Sequence, residues 1–226
     1  MFAKLFKFLS GDLTKRTPLF TLIPLMFISY FGTLGLAVLF FPGPYDWCDR
    51  SISTLLYPRN NPEFHLIASI GIAVTGLLMI PFAGYINRRL RVASPVGANA
   101  GTVAFVGGVI CLIMAGLIVS HPLYGKSSLP RLHSILARAA ALGIGTGMMA
   151  FDAWGCLNRA TGKKLYRSSL LVLWSLATLP AVIAVVLRLV MQNHYWHLGF
   201  WEWTGSAAVF LFLVCSVWLL PERTHE

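Results

Sequence analysis

Six stretches of about twenty apolar residues dominate this chain, and a helix of that length matches the hydrocarbon thickness of a bilayer. They lie at approximately 18–41, 65–86, 101–120, 132–154, 169–191 and 201–220. Lipid offers no partner to a backbone N–H or C=O, so each stretch must satisfy its own hydrogen bonds as a helix. Composition points the same way. Only 12% of residues are charged, against roughly 25% in soluble domains, while 57% are hydrophobic and the mean hydropathy is +0.71. The sequence therefore predicts an all-α integral membrane protein, a six-helix transmembrane bundle forming a single domain over residues 1–226.

Proline and charge mark the joints. Pro42 and Pro44 close the first span, Arg88, Arg89 and Arg91 follow the second, and Pro122 follows the third. Lys163, Lys164 and Arg167 separate the fourth from the fifth, and the stretch 192–203 precedes the sixth. Six spans put both termini on one side. Twelve of the 18 basic residues fall in the N-terminal segment, the second and fourth loops and the C-terminal tail. The excess of Lys and Arg in short cytoplasmic loops then predicts cytoplasmic termini. The net charge of +10 reads as a topology signal and as attraction to anionic cytoplasmic lipids. A nucleic-acid partner is not expected, because the short loops leave no room for a recognition fold.

Ahead of the first span, Phe2, Leu5, Phe6 and Leu9 recur at helical spacing beside Lys4 and Lys7. This pattern suits a short interfacial helix. The first span is too long for a signal-peptide core, so it is expected to stay as an anchor. Small residues recur at one-face spacing in two spans, Ser69, Ala73 and Gly76 in the second and Ala139, Gly143 and Gly147 in the fourth. Such stripes let helix backbones approach closely inside a bundle. Pro24, Pro81 and Pro180 are expected to kink their spans. The four cysteines, Cys48, Cys111, Cys156 and Cys215, show no CxxC spacing and no disulfide framework.

Candidate functional residues gather on the outer side. The first loop holds Asp46, Asp49, Arg50, Ser51, Ser53, Glu63 and, at its end, His65. His121, Arg131 and His133 come from the third loop and the start of the fourth span, and His194, His197 and Glu202 from the fifth loop. Aromatic residues (Tyr45, Trp47, Tyr57, Tyr195, Trp196, Trp201 and Trp203) accompany them, as at interface belts. Arg138 lies six residues into the fourth span, roughly 9 Å along the axis. A charge there is costly unless paired or hydrated. Asp46, Asp49 or Glu202 would pair with it and hold the first loop over the bundle; an anionic lipid head group is the other partner considered. Together Asp46, Asp49, Arg50, Ser53, Glu63, Arg138 and Glu202 form the candidate ligand-binding set.

For a metal, His133, His194, His197 and Asp49 offer nitrogen and carboxylate ligands of the kind zinc takes, His194 and His197 being three residues apart. No HExxH motif accompanies them. Heme has less behind it: His65 and His133 are the nearest axial candidates, with no second pair toward the cytoplasm. A serine nucleophile at Ser51 or Ser53 lacks the nucleophile-elbow pattern, and serine at a helix start usually caps it.

Arg50-Ser51-Ile52-Ser53-Thr54-Leu55, followed by Asn61-Pro62-Glu63-Phe64 leading into the second span, resembles the Frag/DRAM/Sfk group of six-span membrane proteins and their uncharacterised bacterial relatives, which implies a membrane of the bacterial inner (plasma) type. Leu132-His133 and Gly199-Phe200-Trp201-Glu202 are similar to that group's entries to the fourth and sixth spans, while Thr54 stands where the group carries an aspartate. The resemblance implies a six-helix bundle with an outward polar cap and a connection to membrane lipids; eukaryotic members are associated with lipid-anchor remodelling, phosphoinositide control and autophagy. Three functional readings remain open at this point. One is an extracytoplasmic cap binding lipid or an amphiphilic ligand. The second is a metal-dependent membrane hydrolase acting on lipid or a lipid-linked substrate. The third is an accessory subunit contacting other transmembrane subunits.

Overall fold

The computed structural model describes residues 2–91, 94–121, 123, 128–157 and 198–220. Among them every regular element is a helix. An N-terminal helix α1 (Phe2–Leu9) precedes the long helix α2 (Pro18–Leu39). A short helix α3 (Ile52–Leu56) sits in the first loop, and α4 (His65–Leu90), α5 (Pro95–Val119), α6 (Leu129–Leu157) and α7 (Leu198–Leu219) follow. Five described helices are long and apolar enough to span a membrane, α2 and α4 to α7. The expected span at 169–191 lies outside the described residues, as do His194, His197 and Pro180.

Local chemistry explains where the helices start and bend. Pro24 has no N–H to donate, and the winding around it loosens: the Ile23 N–H reaches five residues back to Pro18 O. A second such stretch, Ile28–Gly32, ends at Thr33, whose hydroxyl donates 2.6 Å to Ser29 O and competes with the backbone ladder. Helix α5 begins six residues before the apolar run suggests. Ser94 caps it by accepting the Gly97 N–H at 3.2 Å, and Pro95 takes the first turn, where a missing N–H is harmless. Helix α4 carries Arg88 and Arg89 inside its last turn rather than after it, where they face the negative end of the helix dipole.

The bundle packs through small residues. Helices α5 and α6 meet at Gly108 and Gly143, where a methyl on Gly143 would fall 2.6 Å from Gly108 Cα. One turn on, Gly147 lies against Phe105, and Phe105 meets Phe151 at 6.0 Å between ring centres. Gly76 of α4 receives Ile113 of α5, and Gly71 rests on Ser29 and Thr33 of α2. Ser69 and Gly76 are buried, as expected for an interior stripe. Leu34, Phe82 and Phe105 are fully enclosed, whereas Val103 (73% exposed), Leu142 (69%) and Trp218 (71%) stand outside. An apolar exterior of this extent would be a liability in water. Around helices of this length it is what a polytopic membrane protein presents to lipid.

At one end of the bundle the segment after α1 meets the ends of α4 and α7. Gly11, with φ +70°, ends α1: the Asp12 N–H donates to Lys7 O (2.9 Å) and the Gly11 N–H to Phe8 O (3.0 Å), the paired bonds of a left-handed helix stop. Gly11 also touches the backbone of Gly84 and Tyr85, leaving no room for a side chain. Arg88 donates to Ser10 O (2.9 Å) and Ser10 Oγ (3.1 Å), and pairs with Asp12 at 3.4 Å. Lys15 Nζ donates to Trp218 O (2.9 Å) and Leu220 O (3.2 Å), so a cation closes the C-terminal end of α7.

Candidate functional site

The opposite end is a cap built by the first loop and the start of α7. After Pro42, Gly43 takes φ +98° and turns the chain, a conformation costly for any residue with a side chain. Asp46 then folds the loop on itself, its Oδ1 accepting the Cys48 N–H at 2.9 Å and its carbonyl the Arg50 N–H at 2.8 Å. From α7, the Phe200 N–H donates to Cys48 O at 3.1 Å, and Gly199 lies directly on the backbone carbonyls of Trp47 and Arg50.

Glu202 is the pivot. Its Oε2 accepts the Ile52 N–H at 2.6 Å, and the Ser53 amide lies beside the same carboxylate. It therefore caps α3 from a helix about 150 residues away. Ser51 occupies the position from which a side chain ordinarily caps, yet makes no such bond. Its hydroxyl instead meets Ser53 Oγ (2.8 Å) and Thr54 Oγ1 (3.2 Å). One helical turn below, the Ser206 hydroxyl donates to Glu202 O (2.7 Å), so the Tyr30 hydroxyl of α2 must donate to Ser206 Oγ, also at 2.7 Å.

Tyr45 ties the cap from the other side. Its hydroxyl donates to Arg50 O at 2.9 Å, lies 3.2 Å from Ser51 O, and receives the Trp203 indole N–H at 3.4 Å. Burial pushes its pKa above the ordinary tyrosine value. The Trp203 bond opposes that shift, the Glu202 carboxylate adds to it, and Arg50 opposes it. Trp203 stacks on Phe31 at 6.4 Å, so it serves the cap and the α2–α7 contact rather than a lipid-facing belt. Trp47, by contrast, is 52% exposed. Asn61 is fully buried at the loop's exit. Its Nδ2 donates to Ala37 O and Leu55 O, each at 3.2 Å, binding α2, α3 and the entry to α4 together.

The structure thus separates the predicted residues. Glu202, Ser53 and Asp46 are committed to the cap's own backbone and hydroxyls. Arg50 is exposed, its guanidinium 5.0 Å over the Phe41 ring, and Asp49 and Glu63 are exposed on the loop. Arg138 joins none of them. The ion pair expected between it and Asp46, Asp49 or Glu202 is absent among the described residues, where Arg88–Asp12 is the single ion pair. The loop is held down instead by the Glu202 bond to the Ile52 amide, with the Phe200 and Trp203 bonds beside it, partners that no charge count reveals. Helix α6 begins at Leu129, earlier than expected, which carries Arg138 about 14 Å along the axis. There it is exposed, on the same face as the exposed Arg131 seven residues before it.

His133 Nδ1 donates to Ala115 O at 3.1 Å, and His65 Nδ1 to Asn61 O at 3.0 Å and Pro62 O at 3.1 Å, because a carbonyl can only accept. In the neutral ring this leaves the lone pair on Nε2, the form in which histidine ligates a metal. No group of three His, Cys, Asp or Glu side chains converges among the described residues. His194 and His197 of the expected zinc set lie outside them. Cys48, Cys111 and Cys215 are free thiols. Tyr45, Asn61 and Ser206 are structural members of the cap that the sequence does not single out for this work, since nothing local distinguishes a tyrosine that ties a loop from one that anchors in an interface. Compared with known proteins, the chain matches no family model, no curated protein and no solved structure.

Proposed function

We propose that this polytopic protein binds an anionic lipid through the extracytoplasmic face of the bundle, with the capped loop fixing the helix ends around the site and both termini in the cytoplasm. The exposed Arg138 carries the reading. A guanidinium on an apolar, outward-facing helix surface needs an anion, and Asp46 and Glu202 of the cap serve its own backbone. Arg131, about 10 Å away along the same face, supplies a second donor toward the headgroup level. Arginine's planar fork suits phosphate oxygens, and its stem can lie along the apolar surface while the head reaches the interface. The resemblance to the Frag/DRAM/Sfk group agrees with a lipid-connected role.

The test is the lipid that accompanies the protein through gentle detergent purification, read by mass spectrometry. An anionic phospholipid should co-purify with the parent chain and fall several-fold in Arg138→Ala, with Arg131→Ala intermediate. An identical lipid profile in all three would overturn the proposal.

A further inference from the structure

We propose that α1 is a built-in membrane-surface element, lying in the plane of the leaflet at the terminal end of the bundle, with its apolar edge among acyl chains and its basic edge at anionic phosphates. The observations are independent of the cap. Leu5, Phe6 and Leu9 share one side of α1 and are 52%, 73% and 44% exposed. Phe8, next around the helix, packs against the core. Lys7 is exposed on the side away from Leu9. The helix thus has three edges, one toward protein, one apolar and open, one cationic.

Its position is fixed. Gly11 seated on Gly84, together with the Arg88 bonds to Ser10 and Asp12, sets α1 at the end of α4, nine residues before α2 begins. Phe20, 72% exposed in the first turn of α2, continues the apolar surface toward the membrane core. Charge selects the occupant. Lys7, Lys15, Arg16, Arg88, Arg89 and Arg91 are the cations of this end, and Asp12 is the one carboxylate facing them among the described side chains. A cationic rim above an apolar edge complements anionic phospholipid, each basic group near such a surface adding attraction that salt screens. The choice of leaflet rests on the orientation proposed above; the in-plane insertion does not.

The experiment uses the full chain with Cys48, Cys111, Cys156 and Cys215 changed to serine, carrying a fluorophore at Phe6→Cys or, separately, Lys7→Cys. The protein is placed in lipid nanodiscs of phosphatidylcholine alone or with phosphatidylglycerol. Discs are open on both faces, so the result is separable from orientation and from lipid binding at Arg138. Spin-labelled lipids should quench the probe at position 6 at a depth of about 5–10 Å. Aqueous iodide should quench the probe at position 7, and phosphatidylglycerol should deepen the first. Equal iodide quenching at both positions would overturn insertion. A depth unchanged by phosphatidylglycerol would overturn the anionic preference. Shielding of position 6 that persists unchanged in detergent micelles under lipid-quencher-free conditions, with a dimer in solution, would assign the edge to a second copy instead.

Discussion

Glu202 shows how much one side chain can carry. It meets the backbone N–H of Ile52 at the start of α3, which would otherwise be left without a partner in a half-buried loop. Replacement by alanine should cost on the order of 1–3 kcal/mol and should speed hydrogen exchange at the Ile52 amide. Glu202→Gln, which keeps an acceptor oxygen, should lose less. Equal losses in the two variants would mean that packing of the side chain matters and the hydrogen bond does not. Tyr45 makes a pH prediction. The folded protein holds its hydroxyl proton more tightly than an unfolded chain, in which tyrosine ionises near pH 10. Stability from this group is therefore present below that pH and declines as pH rises past it. Tyr45→Phe should remove one of the steps that ionise above the ordinary tyrosine range from the tyrosinate absorbance titration; an unchanged number of such steps in the variant would refute the assignment.

Among the elements, the α5–α6 pair depends on the absence of side chains at particular places. Gly143→Leu would force apart the backbones at Gly108 and should cost on the order of 1–3 kcal/mol. Gly145 has open space around its Cα, so Gly145→Leu, two residues away, should be tolerated. Thermal unfolding in detergent checks the pair, and similar midpoints for both variants would refute the close-packing account. The stripe Ala139, Gly143 and Gly147 was legible from spacing alone, since a helix places every third or fourth residue on one side. Spacing does not say which neighbour the stripe meets. The start of α5 was legible too, in the Ser94-Pro95 pair, but a reading that follows apolar runs begins the helix at 101 and overlooks the cap. The winding around Pro24 follows from a missing N–H, and its extent follows from the Thr33 hydroxyl and the neighbour at Gly71.

For the whole molecule, the two ends are differently built, one by the Glu202–Tyr45 cap and the other by the Arg88 and Lys15 clamps. With cytoplasmic termini, an impermeant maleimide added to intact cells should label Cys48 in the cap and should not reach a probe cysteine at Lys7→Cys until the membrane is opened. The reverse pattern would invert the proposed orientation while leaving the fold intact.

The sequence by itself determined the class of molecule and the approximate course of its described membrane helices, because lipid leaves the backbone few choices and a long apolar helix is a local property. It also determined the amphipathic pattern of α1. Tertiary structure alone decided what the polar residues do. Glu202 and Arg138 looked like partners because opposite charges attract and both were assigned to the outer side. The fold instead delivers Glu202 to the Ile52 amide at the start of α3 and leaves Arg138 facing outward, since a carboxylate settles on the donor that packing brings within reach, here about 150 residues away in the chain.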